Sequence, residues 1–299
     1  MDPIAFSIGP IPIHWYGILI VTGILVAAYL STFTARLFGE DPELVWDALV
    51  WCVLLGVIGA RLYHVVTVPP SMGVDRWYYF RHPLEIFATW KGGLGIYGAV
   101  AGGALGLYIV IRRAKRNMWR WMDITVPGLV LAQAIGRWGN FVNQELYGKP
   151  TDLPWGIYIE PAYRLRGYEM FERFHPTFFY ESMWNLATSA VLVYLIWRYR
   201  NKLIPGIISC IYFIAYSTIR FLLDFIRLDS PMAGNLTIAQ VVAIAVVLAS
   251  LGTIFWRIRT YKAPAEPAGA AEGDAQEEAV EPVASASEPL SEESEESKA

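Results

Sequence analysis

Three arginines of this 299-residue chain lie in stretches that are otherwise apolar: Arg61, Arg137 and Arg220. An ionised side chain inside an apolar segment costs about 2.5 kcal/mol or more, so it usually faces a partner or a wet cavity. A guanidinium is permanently charged, and its forked donors match the oxygens of phosphate and carboxylate groups. The three arginines therefore indicate a site for an anion.

Two of these arginines have polar neighbours at helical spacing. Tyr216, Arg220 and Asp224 follow one another at intervals of four, which places them on one stripe of a helix. Arg137 and Asn140 are three residues apart in the polar turn "GRWGNFVNQELYG", which directly follows an apolar run. The pattern predicts two helices, each with one polar face that could bind or act on a substrate.

The composition places these faces in a membrane. The chain is 55% hydrophobic and 17% charged, with 12 Trp and 17 Tyr, whereas soluble domains are more charged. A helix needs about 20 apolar residues to cross about 30 Å of hydrocarbon. The apolar runs are 13–36, 44–66, 93–112, 119–141, 176–198, 204–226 and 236–257. They predict an all-α polytopic membrane protein with about seven transmembrane helices.

The basic residues predict the orientation of these helices, because Lys and Arg concentrate in cytoplasmic loops. They cluster after the third, fifth and seventh segments, at Arg112, Arg113, Lys115, Arg116, Arg120, Arg198, Arg200, Lys202, Arg257, Arg259 and Lys262. The N-terminus is therefore expected outside and the C-terminus in the cytoplasm. The first segment has no basic residue before it, so it is expected to be a retained span and not a cleaved signal peptide.

This topology brings the polar residues to one depth. Arg61, Arg137 and Arg220 come late in segments that run outward, so all three are expected near the outer leaflet. Segments that run inward bring further residues to the same level, namely Tyr16, Tyr97, His175 and Glu181. A bland alternative is that Arg220 and Asp224 only neutralise each other, while the other arginines extend to the lipid headgroups.

The chain is expected to have two parts. Residues 1–262 form the membrane domain, in which 149–174 is an arm outside the membrane. Residues 263–299 hold 11 acidic residues and one Lys and little apolar surface, so they are expected to be a disordered acidic tail in the cytosol. The net charge of −3 for the whole chain therefore comes from the tail, and the membrane domain is basic.

Other motifs are interpreted as structural. Gly93, Gly95 and Gly98 match a dinucleotide-binding pattern, but no strand precedes them. The four-residue spacing continues through Gly102 and Gly106, which favours close helix packing. Cys52 and Cys210 are expected to be buried thiols. No zinc-type His pair or phosphate loop is found, so no metal, cofactor or nucleic-acid partner is expected.

At this point the motifs resemble a known family. "GRWGNFVNQELYG" is similar to the signature of the prolipoprotein diacylglyceryl transferases, enzymes of the bacterial cytoplasmic membrane. The resemblance extends to "HWYG", "GARLYHV", "WKGGLGIYGA", "HPTFFYE" and "YSTIRFLLDFIR". It covers nearly the whole chain except the tail.

The resemblance implies a seven-span enzyme that begins lipoprotein maturation. It would transfer the diacylglyceryl group of phosphatidylglycerol to the thiol of the cysteine in a prolipoprotein signal peptide, forming a thioether and releasing glycerol phosphate. Arginines suit this reaction because they stabilise the departing phosphate and lower the pKa of an incoming thiol. A transporter of an anionic solute and a lipid-binding scaffold without chemistry are the alternatives.

The resemblance also implies roles for single residues. Arg137 and Arg220 would hold the phosphate, and Arg61 and His175 belong to the same zone. Asp224 would orient Arg220, where other members can carry Glu. The remaining expected substrate-binding residues are Tyr16, Asn140, Glu145, Gly148 and Tyr216. The arm would lie over the entrance and receive the signal peptide.

Tyr97 departs from the family, in which some members have His at this place. A phenol is mostly protonated at neutral pH and is a poor base, so Tyr97 is expected to donate a hydrogen bond to a phosphate or glyceryl oxygen. The proton would then leave through Glu145, the lipid phosphate or water.

We therefore expect Tyr97→Phe to slow diacylglyceryl transfer by about one to two orders of magnitude, because one bond to a charged acceptor contributes roughly 1.5–3 kcal/mol. Tyr97→His restores a donor and should keep substantial activity. The measurement is the rate of transfer against pH. Loss of one limb of the profile in Tyr97→Phe, together with nearly all activity, would instead make Tyr97 the base.

Overall fold

The computed structural model of the protein describes residues 2–68, 73, 75, 77–228 and 232–261. The chain divides into a compact unit, Met1–Thr260, and a second unit, Tyr261–Ala299. The first unit contains all the helices described below. Only Tyr261 of the second unit is described, so the predicted tail lies outside the described residues.

Seven long α-helices build the described part of the first unit. They are α1 (Trp15–Leu37), α2 (Glu43–Thr67), α4 (Ile96–Arg113), α5 (Met118–Val142), α6 (Thr177–Tyr199), α7 (Ile207–Leu223) and α8 (Ile238–Thr260). A single turn, α3 (Tyr78–Arg81), lies between α2 and α4, followed by the 3-10 turns Pro83–Phe87 and Thr89–Lys91. Each long helix coincides with one of the seven predicted apolar segments, with ends that differ by up to three residues.

The helices differ in how apolar they are. By length and composition α1, α2, α4 and α8 can each cross a membrane, and α7, with 17 residues, is a shorter apolar helix. In contrast, α5 buries Asp123 and Asn140, and α6 buries Glu181 and Asn185. The chain is thus an all-α membrane protein in which α5 and α6 point polar side chains into the interior of the helix bundle.

Short strands, which the sequence patterns do not predict, form three antiparallel hairpins: β1 (Ile4–Ile8) with β2 (Ile11–His14), β3 (Ile157–Tyr158) with β4 (Arg173–Phe174), and β5 (Met232–Ala233) with β6 (Leu236–Thr237). They precede α1, α6 and α8. We call this side of the bundle the hairpin end. At the opposite side, the basic end, the last turns of α4, α6 and α8 contain Arg113, Arg198 and Arg257.

Helices α2 and α4 pack with their backbones in contact. A Cβ atom built on Gly98 would overlap the Gly59 carbonyl, and one built on Gly102 would overlap the Leu55 carbonyl. On Gly106 it would lie 2.7 Å from the backbone of Cys52. The glycine spacing therefore serves helix packing, as predicted from the sequence.

The remaining helices form a second layer of contacts, in which α5 packs against α1, α6 and α7, and α8 packs against α7. Apolar side chains of α5, α6 and α7 meet in one buried cluster around Val130, Leu192 and Tyr212. Buried hydroxyls add interhelical bonds: Ser182 and Ser189 of α6 donate to carbonyls of α5 at 2.9 Å each. Helix α5 is thus the element that α1, α6 and α7 share.

The glycine contacts predict a contrast between neighbours on α4. In Gly102→Ala the new methyl group overlaps the Leu55 carbonyl, so α2 and α4 must separate, at a cost of about 1–3 kcal/mol. In the control Gly103→Ala the methyl group lies 3.8 Å from the Cys52 carbonyl and the helix gains up to about 1 kcal/mol. Thermal unfolding in detergent should therefore show a lower midpoint for Gly102→Ala alone. Equal midpoints would contradict the packing described here.

Candidate active site

Glu181 lies between two arginines at the hairpin end. It occupies the second turn of α6, and its side chain is only 2% exposed. Its Oε1 atom accepts a hydrogen bond from Nη2 of Arg137 at 2.5 Å. Its Oε2 atom lies 3.8 Å from Nη1 of Arg220. Three helices, α5, α6 and α7, therefore bring two guanidinium groups to one carboxylate, and we call these three residues the arginine cluster.

The arginine cluster keeps a positive charge. Two guanidinium groups and one carboxylate sum to +1 when all are ionised. The side chains of Arg137 and Arg220 are 20% and 22% exposed, so both reach the surface of the site while Glu181 stays buried. The arrangement can therefore present guanidinium donors to an anion while the carboxylate holds them in place.

A chain of amide and carboxylate groups continues from Arg137. Nη1 of Arg137 donates to Oδ1 of Asn140 at 3.3 Å, and Nδ2 of Asn140 donates to Glu145 at 2.9 Å. Asn143 donates to the same Glu145 oxygen at 3.4 Å. Asn140 is buried and Glu145 is exposed. The polar turn thus links the buried cluster to an exposed carboxylate at the protein surface.

Two tyrosines flank this network. The ring of Tyr16 in α1 lies against Gly139 so closely that a Cβ atom there would overlap it, which places Tyr16 beside Asn140. Tyr216 stacks on Tyr212 with ring centroids 6.0 Å apart, one helical turn before Arg220. The structure therefore brings Tyr16, Tyr216, Asn140 and both arginines to the hairpin end.

A polar layer lies one helical turn below the arginine cluster. Gln133 precedes Arg137 by four residues, and Asn185 follows Glu181 by four. Nε2 of Gln133 donates to the Tyr212 hydroxyl at 2.9 Å, and Asn185 is fully buried. Buried polar side chains thus extend about one helical turn beyond the arginine cluster, toward the apolar cluster of α5, α6 and α7.

The backbone after α5 turns through unusual conformations. Gln144 and Leu146 have φ of +51° and +57°, which few residues other than glycine adopt. The Gln144 side chain exchanges two hydrogen bonds with Glu160, at 3.0 and 2.7 Å. The Thr177 hydroxyl donates to the Leu146 carbonyl. These contacts tie the turn to the arm and to α6.

Gly148 lies where a side chain has no room. A Cβ atom would be 2.9 Å from Cβ of His175, 3.0 Å from the Ile226 carbonyl and 3.1 Å from the Thr177 methyl group. The amide of Gly148 donates to the His175 carbonyl at 2.9 Å. Gly148 and His175 therefore position the ends of α6 and α7, while Nδ1 of His175 faces the Tyr180 hydroxyl at 3.2 Å.

The predicted arm, 149–174, is a folded loop with the β3–β4 hairpin at its base. Tyr147 is buried at this base, where its hydroxyl donates to the Tyr163 carbonyl at 2.9 Å and accepts from the Leu165 amide at 2.7 Å. Burial raises the pKa of the Tyr147 hydroxyl above its ordinary value, so it remains a neutral donor. Apolar side chains such as Trp155 and Met170 are exposed on the arm.

Asp224 is not the carboxylate that contacts Arg220 in the described ion pairs; that carboxylate is Glu181. Asp224 accepts a hydrogen bond from the Thr237 hydroxyl, which joins the end of α7 to the start of α8. The four-residue spacing of Arg220 and Asp224 thus placed them on one stripe, while the ion pair formed with a different helix.

Arg61 differs from the expectation. It is buried, its Nε atom donates to the Ile86 carbonyl at 2.8 Å, and Nη1 donates to the carbonyls of Gly92 and Gly93 at 2.9 and 3.0 Å. Its Nη2 atom donates to the Glu85 carbonyl. All three nitrogens therefore hold the segment 85–93, and Arg61 has a structural role apart from the arginine cluster.

Tyr97 also lies apart from the arginine cluster in the described contacts. It stands in the first turn of α4, is 72% exposed, and packs on Tyr63 of α2 with ring centroids 5.6 Å apart. Its assignment as a hydrogen-bond donor to the substrate stays a prediction.

No group of three or more metal-binding side chains occurs among the described residues. Cys210 is buried, as expected, whereas Cys52 is only partly buried and its thiol donates to the Gly103 carbonyl at 3.2 Å.

Sequence reasoning missed the partner of both arginines. Glu181 was expected at the same level as the arginines, but its position between Arg137 and Arg220 depends on packing. It also missed Asp123, which is fully buried at the start of α5. The available signal was an acidic residue directly before the apolar run "ITVPGLVLAQAI".

Comparison with known proteins decides the family. The family model described as "Prolipoprotein diacylglyceryl transferase" matches residues 3–256. The chain belongs to this family. Similar proteins named phosphatidylglycerol–prolipoprotein diacylglyceryl transferase occur in Synechocystis and Gloeobacter violaceus, which are 40% and 41% identical over 85% of this chain and cover 88% and 92% of their own lengths. A relative so named in Symbiobacterium thermophilum is 39% identical over 90% of this chain and 97% of its own.

The residues matched by the prolipoprotein diacylglyceryl transferase family model include α1 to α7 and most of α8, because the match ends at residue 256. It includes the arginine cluster, the polar turn and the arm.

The contacts of Arg61 predict the effect of a substitution. In Arg61→Lys one ammonium replaces a fork that donates to four carbonyls, and each lost bond from a charged donor contributes about 1.5–3 kcal/mol. The segment 85–93 should loosen, so limited proteolysis within it should accelerate at least about tenfold. The control is Arg81→Lys, whose side chain is 62% exposed and pairs with Asp75; equal rates in both variants would contradict this role.

Proposed function

We propose that this chain is an enzyme that transfers the diacylglyceryl group of phosphatidylglycerol to the thiol of the cysteine in a prolipoprotein signal peptide. The product is a thioether, and glycerol phosphate leaves. The observation that carries this proposal is the arginine cluster, in which two guanidinium groups from different helices are held by one buried carboxylate. The names of the relatives supply the two substrates.

In the reaction, a thiolate attacks the glycerol carbon that bears the phosphate. A carbon–sulfur bond forms, the carbon–oxygen bond to phosphate breaks, and the electron pair goes to the departing glycerol phosphate. Negative charge grows on the phosphate as it leaves, and guanidinium donors fixed in advance stabilise that charge. Arg137 and Arg220 have this role, and Glu181 keeps them in position.

The same positive charge acts on the thiol. A free cysteine has a pKa near 8.5, so only a few per cent is thiolate at pH 7. A nearby cation favours the charged thiolate and lowers this pKa. The thiol proton leaves through exposed Glu145, the lipid phosphate or water.

The other site residues shape the headgroup site. Asn140 connects Arg137 to Glu145, while Tyr16 and Tyr216 line the sides of the cavity. Gly148, His175 and Asp224 position the ends of α6, α7 and α8. The arm, with its exposed aromatic residues, receives the signal peptide above the site.

The seven long helices are proposed to be seven spans of the bacterial cytoplasmic membrane. The basic end faces the cytoplasm, since Lys and Arg concentrate there, and the hairpin end faces outward. The N-terminus is then outside and the C-terminus inside, with residues 263–299 as a cytosolic acidic tail. This orientation places the arginine cluster at the depth of the outer-leaflet phosphates.

Transfer is tested by incubating the protein with phosphatidylglycerol and a cysteine-containing lipoprotein signal peptide, followed by mass spectrometry of the peptide. A gain of the diacylglyceryl mass, with release of glycerol phosphate, supports the proposal. Flux of an anionic solute into proteoliposomes without this gain would favour a transporter. Binding of the lipid with neither result would favour a scaffold.

The geometry of the arginine cluster predicts that charge alone is not sufficient. Arg137→Lys and Arg220→Lys keep the positive charge but lose the forked donors. Each should slow transfer by one to several orders of magnitude, on the scale of about 3 kcal/mol for one lost transition-state donor. The control is Arg198→Lys at the basic end of α6, which should transfer normally. Near-normal rates in all three variants would make the arginine cluster structural.

A further inference from the structure

The start of α7 is capped by a carboxylate that comes from α5. Gly206 directly precedes α7 and has no side chain that could cap it. Oδ2 of Asp123 accepts from the Gly206 amide at 2.6 Å, and Oδ1 accepts from the amide and the hydroxyl of Ser209 at 2.8 and 2.7 Å. Asp123 thus satisfies free amides at the helix start, where a negative charge is favourable.

The same two helices meet again at the hairpin end. Arg137 of α5 and Arg220 of α7 both contact Glu181. The two helices therefore run in the same direction, with one junction near the start of each and one near the end of each.

The two junctions are equally spaced on both helices. Fourteen residues separate Asp123 from Arg137, and fourteen separate Gly206 from Arg220. At 1.5 Å per residue each interval is about 21 Å. The contact that places Asp123 and Gly206 at the same position along the helix axes therefore also places Arg137 and Arg220 at the same position along them.

We infer that Asp123 is a positioning residue. It fixes the position of Arg220 relative to Arg137 along the helix axes and thereby the geometry of the arginine cluster. This inference rests on the proposed function. Asp123 touches no substrate, because it lies about 21 Å from the cluster. It acts through the axial position of α7, which a shift of one residue would move by about 1.5 Å.

Other contacts make this junction rigid. Nη2 of Arg120 donates to the Leu203 carbonyl at 3.1 Å, and Nε of Arg257 in α8 donates to the Pro205 carbonyl at 3.1 Å. The loop before α7 is thus held from α5 and from α8. A Cβ atom on Gly206 would lie 2.7 Å from the ring of Trp119, so the loop also fits closely against α5.

The first test is the rate of transfer by Asp123→Asn. Its single carboxamide oxygen cannot accept all three hydrogen bonds, so α7 should shift. Because misplacement by about 1 Å can cost about 100-fold, we expect kcat per folded enzyme to fall about 10- to 100-fold, with KM for the signal peptide changed less than about threefold.

A double-mutant cycle separates positioning from general destabilisation. Substitutions about 21 Å apart normally have additive effects. If Asp123 acts through Arg220, Asp123→Asn should cost less than about threefold in an Arg220→Lys background. Losses that multiply in the double variant would overturn the inference.

The matched control is Thr34→Ala. The Thr34 hydroxyl of α1 donates to the carbonyl of Ile124, next to Asp123, at 2.8 Å. Thr34→Ala therefore removes a buried hydrogen bond between α1 and α5, next to Asp123, and leaves the contacts of α7 unchanged. Thr34→Ala should lower thermal stability and leave kcat per folded enzyme unchanged; a fall in kcat equal to that of Asp123→Asn would overturn the inference.

A distance measurement tests the shift without relying on activity. Spin labels at Leu129→Cys and Leu222→Cys, both exposed positions, report the position of α7 against α5 when Cys52 and Cys210 are replaced by Ala. Asp123→Asn should move the label distance by about 1.5 Å, and Thr34→Ala should not. An unchanged distance in Asp123→Asn would overturn the inference even if transfer falls.

If Asp123→Asn does not fold, Asp123→Glu is measured in its place. It keeps the charge but moves the oxygens by about one methylene, so both the label distance and kcat should change. Normal values of both would overturn the inference. If the unaltered protein transfers nothing, the proposed function fails, whereas the label distance still decides whether Asp123 sets the height of α7.

Discussion

Glu181 and its two arginines fix how α5, α6 and α7 pack together. Three ionised groups in a membrane helix bundle are stable only when they are paired and hydrogen-bonded. Glu181 is almost fully buried and contacts Arg137 at 2.5 Å and Arg220 at 3.8 Å. Because these residues come from α6, α5 and α7, the three helices must pack together at the hairpin end. The polar turn continues from this point, since Asn140 accepts from Arg137, and Gln144 joins the turn to the arm.

The charged groups of the bundle interior serve two purposes. Arg61 and Asp123 hold backbone groups: Arg61 donates to the carbonyls of the segment 85–93, and Asp123 accepts from the amides at the start of α7. Their hydrogen-bonding capacity is used within the fold. The arginines of the cluster instead reach the surface of the site, with side chains 20% and 22% exposed. Exposure and partners, more than residue type, distinguish Arg61 from the two arginines that we propose to bind the substrate.

Proximity along one helix was a poor guide to ion pairing. Arg220 and Asp224 are four residues apart, which permits a pair on one helix face. In the structure Arg220 faces Glu181 of α6, and Asp224 accepts from Thr237 near the start of α8. Arg220 thereby joins α7 to α6, and Asp224 joins α7 to the start of α8. An ion pair between Arg220 and Asp224 would not link α7 to either neighbour.

The sequence alone predicted the membrane class, the seven long helices and the close packing of α2 on α4 through glycine. It also predicted that Arg137, Arg220 and Tyr16 lie at the same end of the bundle. These features follow from hydrophobic length and local periodicity, which need no knowledge of neighbours. The packing of the helices was needed to show that Glu181 joins the two arginines, that Arg61 binds carbonyls, and that Asp123 caps α7. Each of these depends on which helix faces which, and that choice arises from side-chain packing between segments far apart in the chain.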